Sequence, residues 1–169
     1  MLISTIEKKL NEQVELEGYS SQYYLSMASW AENNGLNGVS NFLYRQSDEE
    51  RLHMLKLVKY INERGGKAII PSLEEPPREF ESLPKVFEMV HAHEIVVSTE
   101  INKLVEACLS EKDYTTQNFL QWYVAEQIEE EALAKNILDK LKLIGNDKGG
   151  LYLFDRDLDT LTGSPVGKV

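Results

Sequence analysis

Six side chains in this sequence of 169 residues are of types and spacings that could hold metal ions together: Glu17, Glu50, His53, Glu94, Gln127 and Glu130. Glu50 and His53 stand at i and i+3, so on a helix both reach one point from a single turn. Gln127 and Glu130 repeat that spacing. Carboxylates with one imidazole form a hard donor set, better suited to iron or manganese than to a soft metal. Buried at one level of a core, the four carboxylates would be costly unless neutralised, and each would raise the pKa of the others. No Lys or Arg shares their faces at that level, so a cation must enter. Two divalent ions would balance Glu17, Glu50, Glu94 and Glu130. The competing reading places each Glu in solvent, as is usual for a single Glu on a helix. Four coincident polar breaks argue against it.

Positioning these groups requires long helices, and the hydrophobic period supplies them at about 5–33, 39–64, 84–111 and 115–144. Gly35 and Gly38, Gly65-Gly66, Lys112-Asp113 and Gly145 punctuate them; Ser82 is a natural N-cap with Pro84 in the following first turn. The inward stripe of the first helix is Leu10, Val14, Glu17, Ser21, Tyr24, Ala28 and Ala31. That of the second is Val39, Phe42, Gln46, Glu50, His53, Leu57 and Tyr60. The third carries Phe87, Val90, Glu94, Val97, Ile101, Leu104 and Cys108, and the fourth Leu120, Tyr123, Gln127, Glu130, Ala134, Ile137, Leu141 and Ile144. Each stripe is apolar at both ends and ionisable in its middle third. Glu94 lies about 24 Å of rise before the end of its helix, and Gln127–Glu130 lie about 18–23 Å after the start of theirs, so an antiparallel pair brings them to one depth.

The fold class expected is all-α: a four-helix bundle. The short links make the first two and the last two helices hairpins. The connection between the second and third, with Pro71, Pro76 and Pro77, spans about 55 Å when extended, enough for one long crossover along the bundle. An amphipathic piece at about 151–161 predicts a short fifth helix too short to hold alone, covered by its own bundle or by neighbours. The tail at about 162–169 reads as frayed. Everything from 1 to 169 is expected in one domain.

A net charge of −10 argues against nucleic acid as a partner, since phosphate contacts need surplus Lys and Arg, and is compatible with cations. Cys108 is the one cysteine, which excludes an intrachain disulfide and a multi-cysteine zinc site. The first residues form no apolar signal core and no run has the length of a membrane span. A cytoplasmic protein without a membrane partner is the expectation.

The segments LEGYSSQYY, SDEERLHM, HAHEI, NFLQWYVAEQIEEE and the terminal GLYLFDRDLDTL resemble those of the non-haem bacterial ferritins, across nearly the whole chain and in the right order. Ferritin-like di-iron proteins place one Glu on each of two helices and Glu-x-x-His on each of the other two; here the second pair reads Gln127-x-x-Glu130. The resemblance implies a first iron held by Glu17, Glu50 and His53, and a second by Glu94, Glu130 and a shared Glu50. It puts Gln127 beside the oxidant or a water, and Tyr24 beside the centre as a ligand-orienting group or electron donor. Glu49, Glu126 and Glu129, with Glu130, match a third iron site; on composition alone these are solvated-face charges. Two to three iron ions per subunit follow from that resemblance. His91 and His93 read as surface residues, Trp122 as packing, and Cys108 as an inert core thiol. Bacterioferritins keep a second Glu-x-x-His and a haem-binding Met after the first Glu; Gln127-x-x-Glu130 and Arg51 depart from both, so no haem is expected. The implied activity is a ferroxidase that oxidises Fe(II) with O2 or H2O2 and stores the ferric product as mineral in a hollow homo-oligomeric shell of 24 subunits, the short fifth helices meeting at its four-fold axes. A non-storage di-iron peroxidase and a non-catalytic iron-binding bundle are the alternatives.

Overall fold

The computed structural model describes residues 2–161, so the tail read as frayed at 162–169 lies outside the described residues. Five helices follow one another: α1 (Ser4–Asn33), α2 (Asn37–Glu63), α3 (Leu83–Ser110), α4 (Tyr114–Ile144) and α5 (Lys148–Thr160). Three of them start on side chains that satisfy a backbone N–H left open at a helix start. Ser82 accepts from Lys85 N, with a proline in the first turn of α3; Asp113 accepts from Thr116 N, and Asp147 from Gly150 N. Gly65 ends α2 at φ 77°, a conformation glycine adopts without steric cost.

Tight turns make α1–α2 and α3–α4 hairpins, α1 packs against α3, and residues 64–82 cross between the hairpins. This is the expected all-α bundle with one long crossover. Its core is in two parts. Met27, Phe42, Leu43, Phe87, Val90 and Ile137 belong to one cluster, toward α5. Leu10, Val14, Leu57, Ile101, Leu120 and Tyr123 belong to the other. Burial of each such large apolar side chain contributes about 1.5–3 kcal/mol, so two substantial apolar blocks clamp whatever lies between them. The buried residues between are polar on all four helices: Glu17 on α1, Gln46, Glu50 and His53 on α2, Glu94 on α3, and Gln127 with Glu130 on α4.

The fifth helix is held by its own subunit. Phe154 and Leu158 are buried in the first cluster. Val39 N donates to Asp155 Oδ1 at 2.9 Å, and Arg45 Nη2 donates to the carbonyls of Leu158, Asp159 and Leu161 at 3.2, 3.1 and 3.0 Å. Gly38 permits the approach: a Cβ there would sit 1.8 Å from the carbonyl oxygen of Asp155. None of the described helices is long and apolar enough to cross a membrane.

Candidate metal centre

Glu17, Glu50, His53 and Glu94 are each at most 4% exposed, and Gln127 and Glu130 are also buried. The helices deliver them because each occupies a position of an inward stripe whose two ends are buried apolar residues that cannot turn outward. On α2, His53 Nδ1 lies 3.4 Å from Glu50 Oε2, and it lies 4.0 Å from Glu17 Oε2 across the α1–α2 interface. Single donor atoms from Glu17, Glu50 and His53 fall within 4.8 Å of one another. On the opposite hairpin, Gln127 Nε2 donates to Glu94 Oε2 at 3.0 Å, while Tyr24 OH donates a short hydrogen bond to Glu94 Oε1.

Four further groups support this layer. Gln13 Nε2 donates to Glu17 Oε1 at 2.8 Å, and Gln46 Nε2 to Glu130 Oε2 at 3.1 Å. Tyr123 OH donates to the backbone carbonyl of His53 at 2.8 Å, and Trp122 packs edge-on against the His53 ring at 5.1 Å. Gln13 and Gln46 each bond one oxygen of a carboxylate and leave the other available. Glu17 Oε2 is buried with no hydrogen-bond partner. A buried polar atom left this way is costly, and a cation between Glu17, Glu50 and His53 would satisfy it.

The electrostatics agree. Burial pushes the Glu17 and Glu50 carboxyls well above the ordinary carboxylate range, the Glu50 charge adding to the first and the Glu94 charge to the second. Glu130 is pushed up to about 9 by burial, then by Glu94, Glu49 and Glu126. Burial also raises Glu94, against the pull of its hydrogen bonds from Tyr24 and Gln127. Among the described residues no Lys or Arg forms an ion pair with any of these four carboxylates. Burial and mutual repulsion therefore favour protonated carboxyls in the absence of a cation, and the oxygen-rich donor set with one imidazole is of the kind that suits a hard divalent cation.

A second acidic group adjoins the first. Donor atoms of Glu49, His53 and Glu126 also come within 4.8 Å of one another. Glu49 is buried and Glu126 half-buried, while Glu129 is exposed; burial raises Glu49, to which the Glu126 and Glu129 charges add. Solvated-face charges therefore describe Glu129 but not Glu49.

A family model for the ferritin-like domain matches residues 7–144. The chain is 46% identical over 162 residues to a probable bacterial non-heme ferritin-like protein of Haemophilus influenzae, covering 96% of this chain and 98% of that one. It is 47% identical to the bacterial non-heme ferritin of Campylobacter jejuni, covering 92% and 93%. The chain belongs to the ferritin family. Iron storage is the function that family and fold assign to it. Among solved structures, an open pore ferritin of the archaeon Archaeoglobus fulgidus superposes with a TM-score of 0.94 at 44% identity, covering 96% of this chain and 100% of that one.

Within this ferritin the structure corrects one sequence reading. His93 was expected at the surface; instead it is half-buried, bonded through Nε2 to Ser20 Oγ at 2.7 Å, with the Tyr23 ring 5.1 Å away. Burial pulls its pKa down to about 4, so the imidazole is neutral at ordinary pH. The reason is the tyrosine-rich face of α1 opposite it, which the α3 periodicity does not report. Gln13 and Tyr123 are further partners of the centre that the helical period alone does not mark. The position of Gln13, one turn before Glu17, is the signal that could have found it.

Proposed function

We propose that the buried layer is a di-iron ferroxidase centre whose substrate is Fe(II) and whose oxidant is O2 or H2O2. The observation that carries this is the set of four buried carboxylates and one imidazole between the two apolar clusters, with Glu17 Oε2 unsatisfied. Glu17, Glu50 and His53 hold one iron; Glu94 and Glu130 hold the second, with Glu50 shared between them. Gln127 steadies Glu94 beside the oxidant, and Tyr24 orients the same carboxylate from the other side. Glu49, Glu126 and Glu129, with Glu130, take a third iron.

Oxidation is a matched two-electron event. Each of two Fe(II) ions gives one electron; O2 takes two electrons and two protons to become H2O2, or H2O2 takes two electrons and two protons to become two waters. Carboxylate donors favour the harder ferric ion, so the ligand set drives the reaction. The chain's own part is to bind, to orient and to handle protons. Glu17, Glu50 and Glu130 must release their protons as iron enters, at the place where the oxidant requires them. The second pair, Gln127 with Glu130, supplies one strong ligand where Glu50 with His53 supplies two, and so eases release of product toward storage. The ferric product collects as mineral inside a hollow homo-oligomer of 24 subunits in the cytoplasm, a reading supported by the family and by the likeness to whole ferritin chains.

Stopped-flow absorbance tests the reaction: metal-free protein is mixed anaerobically with about two Fe(II) per subunit, the count the ligand set provides, and oxygen is added. A ferric-oxo band that grows far faster than iron autoxidation in buffer is the expected result. Glu50→Ala and Glu130→Ala abolish the fast phase and leave assembly intact. Wild-type rates in both variants would overturn the assignment.

A further inference from the structure

Three tyrosines on one face of α1 run outward from the metal layer. Tyr24 is fully buried and donates to Glu94. Its ring lies 6.1 Å, centre to centre, from that of Tyr23, which stacks on Tyr19 at 5.5 Å and 24°. His93, neutral and bonded to Ser20, fills the space among them, 5.9 Å from Tyr19, 5.1 Å from Tyr23 and 6.0 Å from Tyr24. Tyr19 ends the row in a solvent-open cleft of about 350 Å³, lined also by Gln13, Leu73, Glu74 and Lys103. Core filling needs bulk, and Leu or Phe would supply it at each place. Three phenols in contact, one bonded to a carboxylate of the centre and one at the surface, supply in addition a chain of oxidisable groups.

We infer that Tyr24, Tyr23 and Tyr19 form an electron relay that carries oxidising equivalents from the iron centre to the Tyr19 cleft, where a small thiol reductant quenches them. The inference rests on the ferroxidase reading and concerns the case that reading leaves open, when a single Fe(II) meets H2O2. One Fe(II), one H2O2, two protons and the Tyr24 phenol yield Fe(III), two waters and a Tyr24 phenoxyl radical, with the phenol's own proton held on Glu94. The iron supplies one electron and Tyr24 the other. An electron then passes from Tyr19 through the Tyr23 ring to Tyr24. Tyr24 recovers a proton from Glu94, and Tyr19 releases its own to the cleft, where water and Glu74 accept it. A thiol restores Tyr19 by giving up a hydrogen atom, and two thiyl radicals couple to a disulfide. The damage a lone radical would do in the core is thereby moved to solvent.

The test uses the assembled protein with about one Fe(II) per subunit, half the count the ligand set provides, then H2O2, with a nitroso spin trap and peptide mass mapping. Cysteine serves as the probe thiol. The relay predicts the trapped adduct on Tyr19 in the wild type, and a tyrosyl radical signal whose decay accelerates with cysteine concentration. Tyr23→Phe and Tyr19→Phe keep the packing, and each slows that cysteine-dependent decay on the order of ten-fold. Both variants keep the wild-type assembly and the wild-type oxidation rate at full iron loading. Fast oxidation at full loading with adducts confined to Tyr24 or Trp122, or unchanged decay in Tyr23→Phe, would overturn the relay alone. No fast oxidation in the wild type would overturn the ferroxidase reading and the relay with it.

Discussion

Glu130 illustrates how a single carboxyl records what its surroundings lack. In the folded, metal-free chain its pKa is raised from an ordinary 4.5 to about 9, first by burial and then by Glu94, Glu49 and Glu126. Between those values the folded state holds a proton that the unfolded state has lost. Stability from this group is therefore complete below the unfolded value and falls as pH rises through the folded one. Glu17 and Glu50, raised in the same direction, steepen the same slope. Calorimetry of the metal-free protein should show the unfolding temperature dropping across that window. Glu130→Gln, which matches the shape and cannot ionise, should flatten the drop, and so should saturating Zn²⁺, because the metal takes the place of the protons. A slope unchanged by both would remove Glu130 from the charged layer.

At the scale of elements, α5 depends on a few polar contacts to α2 as much as on its two buried apolar residues. Arg45 closes the C-terminal end of α5 by donating to two of its carbonyls and to that of the capping Leu161, groups that a helix end otherwise leaves open. Arg45→Ala should cost about 1–2 kcal/mol and raise hydrogen exchange in residues 148–161 without touching α1 to α4. Gly38→Ala should displace α5 more severely, since the added methyl collides with the Asp155 backbone carbonyl and not with a flexible side chain; overpacking of this kind costs about 1–3 kcal/mol. Exchange in α5 that stays at the wild-type rate in both variants would mean the helix is held by contacts other than these.

For the whole molecule, the surface of one subunit leaves large apolar side chains exposed near the α4–α5 end: Leu143 at 88% and Tyr152 at 70%. Beside them lies an apolar cleft between α4 and α5, lined by Ile144, Leu153 and Phe154 among others. A shell of many subunits is the arrangement in which such residues find cover. Size-exclusion chromatography with light scattering should give a mass many times that of one chain, and Leu143→Glu should shift it to smaller species with an unchanged helical circular dichroism spectrum. A wild-type monomer would set aside the storage shell and leave a bundle acting alone.

How much of this was legible in the residues varies with what a one-dimensional pattern can encode. A helical period states which way each side chain points along its own helix. That was enough for the all-α bundle, for its single crossover from link lengths, and for placing Glu17, Glu50, His53, Glu94, Gln127 and Glu130 inward. It could not state which donor meets which acceptor across two helices, because that depends on their relative rotation and axial offset. Tyr24 on Glu94, Gln13 on Glu17 and Gln46 on Glu130 were decided there, as were the burial of Glu49 and the enclosure of His93 among tyrosines. The amphipathic face of α5 announced that it needed cover; packing shows that its own bundle covers Phe154 and Leu158, through Arg45 and the space that Gly38 leaves. By itself the sequence determined a buried layer of carboxylates that demands cations. The tertiary structure decided how each carboxylate is held, which oxygen of Glu17 is left without a hydrogen-bond partner, and that a row of tyrosines leads from that layer to the surface.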